Sequence, residues 1–305
     1  MSEQAKCEEG VVDVEQQTLA YKRWISGPEP RLKLLALHGW LDNAASFDVL
    51  MQQLAAQGLA FECLAMDAPG HGYSDHKPEQ GSYNIWDDVR GLLGVLDHMQ
   101  WQQSVLLCHS RGAFIGSLLC ASAPDRVQAL VALDSLIPDS IEASAVVDQL
   151  RKHISDYRRQ GRRAPAYKSA PDAAEALAKK TGMSSQAAAT LVQRGLRCED
   201  DAEQVWRWRS DPRLLSASAV KFTAVQWQHI FAAIACPVYL ITASRGMARH
   251  PDFLKRWVAA FGQIEHESID GSHHCHLDPD TAPDVARRVA GFLQTIKPRE
   301  ATSDD

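Results

Sequence analysis

Short, mostly apolar runs recur along this chain, each followed by a stretch of helical periodicity. That alternation restricts the fold more than any other feature. Leu32–Leu37 (LKLLAL), Phe61–Met66 (FECLAM) and Val127–Leu133 (VQALVAL) are runs of this kind, as strands buried on both faces require. Residues 105–108, 237–242 and 264–269 read as further strands, and 11–15 with 19–25 as a strand pair separated by Gln16 and Gln17. Helices are expected over 44–57 (closed by Gly58), 83–99, 112–123 and 285–296. Strands and helices at this spacing predict an α/β fold with a mostly parallel, doubly wound sheet.

The alternation stops between Asp134 and Pro237, where about a hundred residues are mainly helical in pattern. The expected organisation is a discontinuous core over 1–135 and 236–298. A helical cap or lid over 136–235 would interrupt it, and 299–305 would form a loose tail. With 45% hydrophobic residues and a net charge of only −6, the bulk of the chain is excluded from disorder. Thirty-two basic against 38 acidic residues give no general positive field, which argues against nucleic acid as a partner. No window nears the ~18 apolar residues of a membrane span. The opening MSEQAKCEEG lacks the pattern of a secretory signal. Seven scattered cysteines suit reduced thiols packed as small hydrophobes. These features predict a cytoplasmic protein acting on a small molecule; oligomeric state is not addressed by them.

The strongest chemical signal is Cys108-His109-Ser110-Arg111-Gly112, between an apolar strand and a small-residue helix. A serine there sits on a tight strand-to-helix turn that lifts its hydroxyl from the sheet edge. Small residues are needed two positions either side of it. Gly112 supplies one, whereas Cys108 stands where G-x-S-x-G has glycine. The plainer reading is a serine capping the helix that follows.

Three further segments end strands of the same pattern: His38-Gly39-Trp40, Asp67 to Ser74 (DAPGHGYS), and Gly271 to His276 (GSHHCH). With Cys108 to Gly112 they resemble the α/β-hydrolase superfamily over nearly the whole chain. The segments HGWLDNAASFD (from His38) and LVQRG (from Leu191), with the histidine cluster, resemble more closely the serine hydrolase-like proteins. The resemblance implies an α/β-hydrolase fold and acyl-transfer machinery, not a substrate. It makes Ser110 the nucleophile and His273 the base, with His274 as the alternative. Members of the superfamily mostly take their acid from the turn after the strand at 237–242. Here that turn, Ala243-Ser244-Arg245-Gly246-Met247, holds no carboxylate. Asp134, at the end of the strand after the nucleophile helix, is the preferred acid, as in haloalkane dehalogenases; Asp252 is the alternative.

The oxyanion hole would use the backbone N–H groups of Trp40 and Arg111. Their side chains would bind substrate, Trp40 as a wall and Arg111 as a cation, unless Arg111 is tied into an ion pair with the lid. His38, Asp67 and His71 belong to turn-forming motifs. His273, His274, Cys275, His276 and Asp278 are all ligand types, yet adjacent histidines seldom converge on one ion. No metal or cofactor is expected. The basic run Arg151, Lys152, Arg158, Arg159, Arg162 and Arg163 reads as a solvated lid helix and its turn. Trp206 and Trp208 would seat the lid on the sheet domain. The expected activity is ester hydrolysis through an acyl-enzyme. The alternatives are a catalytically weak binding or receptor protein, and cofactor-free perhydrolysis or carbon–carbon hydrolysis on the same triad.

Overall fold

The computed structural model describes residues 4–30, 32–136, 138–158, 165–200, 202–247 and 258–296. Its central sheet has the order β1-β2-β4-β3-β5-β6-β9-β10. The strands are β1 (Lys6–Val14), β2 (Gln17–Ser26), β3 (Leu32–Leu37), β4 (Phe61–Met66), β5 (Ser104–His109), β6 (Val127–Leu133), β9 (Val238–Arg245) and β10 (Ile264–Ser272). β1 and β2 pair antiparallel, as do β2 and β4, and all other neighbours run parallel. The fold is α/β, with a mostly parallel sheet between helices.

Side chains alternate across the pleat, so each continuous apolar strand feeds two cores. Leu34 and Ala36 of β3 pack with Phe47, Leu50, Met51 and Leu54 of the 44–56 helical segment and with Val285 and Val289 near the end of the chain. Leu35 and Leu37 face the other way, onto Leu92, Val95, Ile115 and Leu119. Helices α1 (Asp48–Ala56) and α8 (Ala282–Thr295) therefore cover one face. Helices α2 (Asp87–His98) and α3 (Arg111–Ser122) cover the other. The chain leaves β3 for β4 on one side and returns to β5 on the other. A crevice opens at the carboxyl ends of strands where the order reverses in this way.

Between β6 and β9 lie α4 (Val146–Arg158), α5 (Ala170–Thr181), α6 (Ser185–Gly195) and α7 (Ala224–Ala232). The segment is not purely helical. β7 (Leu196–Asp200) and β8 (Val205–Trp208) form an antiparallel hairpin, where Trp206 and Trp208 flank Arg207. Both tryptophans pack with the cluster of α5 and α6 that also takes in Leu277 of the core. The helix expected over 83–99 begins only at Asp87, because Tyr83 is held by Asp211 (Oη to Oδ2, 2.7 Å). The 44–57 helix is split into a short 3-10 turn and α1. In the basic run, Arg151 pairs with Asp148 and Lys152 with Asp156 on α4 itself, as a solvated face would. Arg159, Arg162, Arg163 and the tail at 299–305 lie outside the described residues. Among the described residues no helix is long and apolar enough to cross a membrane.

Candidate active site

Ser110 follows β5 and precedes α3 with φ 52° and ψ −119°, a backbone conformation that costs energy for any residue with a Cβ. Its hydroxyl makes no capping bond to α3, which removes the plainer reading of this serine. A Cβ on Gly112 would stand 2.1 Å from the Leu37 carbonyl oxygen, so glycine is required two residues on. The departure at Cys108 is met from the opposite side. Its Sγ lies 2.8 Å from where a Cβ on Gly116 would stand, so glycine on the helix makes room for the thiol.

The turn after β9 has no carboxylate, yet it is built around one. Asp134 is fully buried, and its Oδ1 accepts from the Ala243 N–H at 2.7 Å. Its Oδ2 accepts from the Met247 N–H at 2.9 Å and from His273 Nδ1 at 2.6 Å. A Cβ on Gly246 would fall 2.0 Å from that same oxygen, so the turn closes on the carboxylate only with glycine there. Asp134 and His273 thus come together across 139 residues of sequence. Asp252 lies outside the described residues. The Ser110 hydroxyl is directed at Met247 Sδ, 3.9 Å away, and makes no hydrogen bond to His273 in this structure. Such bonds are often unmade in an unliganded site and close when substrate enters.

The other predicted residues separate into distinct roles. His274 turns away from Asp134 towards Asp42, its Nε2 3.3 Å from Oδ2. His276 is buried, with Nε2 2.9 Å from Ser46 Oγ, and Cys275 is buried too. These histidines thus take separate polar partners, although the rings of His273, His274 and His276 all lie against that of His109, with centroids 4.6, 4.9 and 4.2 Å away. Arg111, expected as a substrate cation unless tied to the lid, pairs instead with Asp88 of α2, 2.8 Å away, where α2 and α3 pack side by side. Trp40 is half exposed and its indole donates to the Leu214 carbonyl at 3.1 Å, tying the end of β3 to the segment above it. Trp40, Arg111, Phe114, Leu214, Phe222 and Trp227 are among the walls of a largely apolar cleft of about 510 Å³.

Sequence reasoning missed His109, the residue before Ser110. It is fully buried, and burial pushes its pKa down to about 4 against the pull of Asp42. Arg194, quoted only as part of LVQRG, also proves central. It is buried and meets Asp67 through Nε and a second guanidinium nitrogen at 2.9 Å, while Asp67 also accepts from Ala44 and Tyr73. These pairings join segments far apart in the chain, where local pattern carries no signal.

His38 and His71 do hold turns. Each donates from Nδ1 to a carbonyl (Gly39, Pro69) and accepts at Nε2 from an amide (Ala68, Leu41). A protonated ring would set N–H against N–H, so both belong in the neutral form. Burial holds His71 well below the ordinary 6.5 and lowers His38. The unfolded chain therefore binds more protons below that value, and stability present above it is lost as pH falls. A lower urea midpoint is expected at about pH 5.5 than at about pH 7.5, with a smaller drop in His71→Gln; a level wild-type midpoint refutes this.

The family model for the alpha/beta hydrolase fold matches residues 34–280. This chain belongs to the α/β-hydrolase family. Within it, a serine hydrolase-like protein of Dictyostelium discoideum is 31% identical over 87% of this chain and 76% of its own length. A serine hydrolase-like protein of Danio rerio is 27% identical over 91% of this chain and 86% of its own. Among solved structures, a hypothetical protein of Pseudomonas aeruginosa superposes with a TM-score of 0.86 at 33% identity. It covers 94% of this chain and 99% of that one.

Proposed function

We propose that this chain is a serine-dependent hydrolase of carboxylic esters. Ser110 Oγ attacks the ester carbonyl as His273 Nε2 takes its proton, and Asp134 fixes the ring with its other nitrogen protonated. The tetrahedral intermediate places its oxygen against the N–H groups of Trp40 and Arg111. Arg111 opens α3, so its amide is one of those the helix leaves without an acceptor. Collapse breaks the carbonyl–alkoxy bond, His273 returns the proton to the leaving alkoxide, and water repeats the sequence to release the acid. The segment 136–235 acts as the lid, and the apolar cleft it shares with Trp40 and Phe114 takes the organic part of the substrate.

The observation that carries this reading is the Asp134–His273 contact at 2.6 Å, with two backbone amides on the same carboxylate. It brings to His273 a carboxylate that the turn at 243–247 does not itself contain. The test is a fluorophosphonate probe followed by peptide mass spectrometry and a panel of p-nitrophenyl esters. A covalent adduct on Ser110 with measurable ester turnover is expected. Folded protein that neither labels nor turns over any ester would favour the binding reading.

A further inference from the structure

We propose that Asp42, His109 and His274 form a site for one divalent transition-metal ion of the Zn²⁺ type, in the interior beside the Ser110 turn. The three side chains come from the loop after β3, the end of β5 and the loop after β10, and all are buried. One donor atom from each lies within 4.8 Å of the others. Asp42 Oδ2 is 3.3 Å from His109 Nδ1 and 3.3 Å from His274 Nε2. A tetrahedral ion with bonds of about 2.0–2.1 Å keeps its ligand atoms about 3.3 Å apart. Two of the three edges match that figure.

The second observation is a conflict at His109. Its Nε2 lies 3.0 Å from the His273 carbonyl oxygen, and a carbonyl only accepts, so Nε2 carries the hydrogen. With the ring neutral, a lone pair at Nδ1 faces the Asp42 carboxylate 3.3 Å away. That nitrogen is buried, and its contact with Asp42 lacks the geometry of a hydrogen bond. Two acceptors facing each other in the interior repel unless something positive lies between them. A cation satisfies both, and the Nε2–H bond to a carbonyl is the outer contact that a metal-binding imidazole characteristically makes. Glycine at position 39 keeps the place open: a Cβ there would stand 2.8 Å from Asp42 Oδ2 and 2.9 Å from His109 Nδ1. Two imidazoles and one carboxylate suit Zn²⁺, Co²⁺ or Ni²⁺ and leave a fourth position for water.

The test uses the whole chain, stripped with EDTA, dialysed against ZnCl₂ and analysed for metal, with CoCl₂ as a spectroscopic probe. One Zn²⁺ per chain is expected, and Co²⁺ should give the intense visible bands of a tetrahedral site. Asp42→Asn and His274→Gln should each weaken binding by roughly 100-fold, whereas His273→Asn, which keeps the carbonyl that holds His109, should not. Circular dichroism establishes that each variant is folded; the wild-type Co²⁺ spectrum needs no variant. Folded wild type that retains no Zn²⁺ overturns the proposal. So does binding that survives Asp42→Asn and His274→Gln, or that is lost in His273→Asn alone.

Discussion

Ser110→Ala is expected to lower kcat for ester hydrolysis on the order of 10⁵-fold while leaving the fold as stable as before. The two halves of this expectation have separate causes. Activity goes because nothing else at the end of β5 offers a nucleophile: Cys108 is fully buried with its Sγ against Gly116, and its thiol is pushed far up by desolvation. Stability stays because the hydroxyl caps nothing on α3 and its contact is with the Met247 thioether at 3.9 Å. Alanine also inherits the φ of 52°, so the backbone strain is unchanged. Ser110→Gly removes that strain and should be equally inactive yet more stable, by about 1 kcal/mol. Ester kinetics and urea unfolding on the three proteins check both halves. An alanine variant retaining more than about a hundredth of wild-type kcat would sink the nucleophile assignment, given the size such losses take.

The central strands were legible because two-sided burial leaves a clear mark: the apolar residues of LKLLAL and FECLAM alternate between two cores, and the two charged ones, Lys33 and Glu62, pair with each other. The hairpin of β7 and β8 was not, because its four-residue second strand is half-buried and sits among helices. Around the site, the resemblance pointed to Ser110, His273 and Asp134, but it could not say what holds them. Asp134 depends on backbone amides of Ala243 and Met247, which any sequence possesses, and on the glycine at 246 that lets the turn close. Arg111 shows the same limit from another direction. An arginine beside a serine reads as a substrate cation or a link to the lid, whereas its partner is Asp88, one helix back. The cluster of Asp42, His109 and His274 was invisible for a further reason. Its members belong to three separate motifs, each of which has a sufficient local explanation without the others.

Asp134→Asn tests the remaining member of the proposed triad, and kcat is expected to fall about 10⁴-fold with KM little changed. The carboxylate takes three donors: the Ala243 N–H on Oδ1, and the Met247 N–H and His273 Nδ1–H on Oδ2. An amide offers one acceptor oxygen and one NH₂, so it cannot serve all three. With NH₂ towards His273, the imidazole must present a lone pair at Nδ1. Its proton then sits on Nε2, and the ring can no longer accept one from Ser110. With NH₂ towards Ala243, two buried donors face each other across the 2.7 Å that a hydrogen bond now spans. Either orientation costs about 1–3 kcal/mol of stability for a buried donor left unmatched. Both effects come from one substitution, and they are read by ester kinetics and urea unfolding on the same preparation. Wild-type kcat in a folded but destabilised Asp134→Asn would show that the carboxylate only braces the turn after β9. The acid would then have to be sought elsewhere, with Asp252 the first candidate.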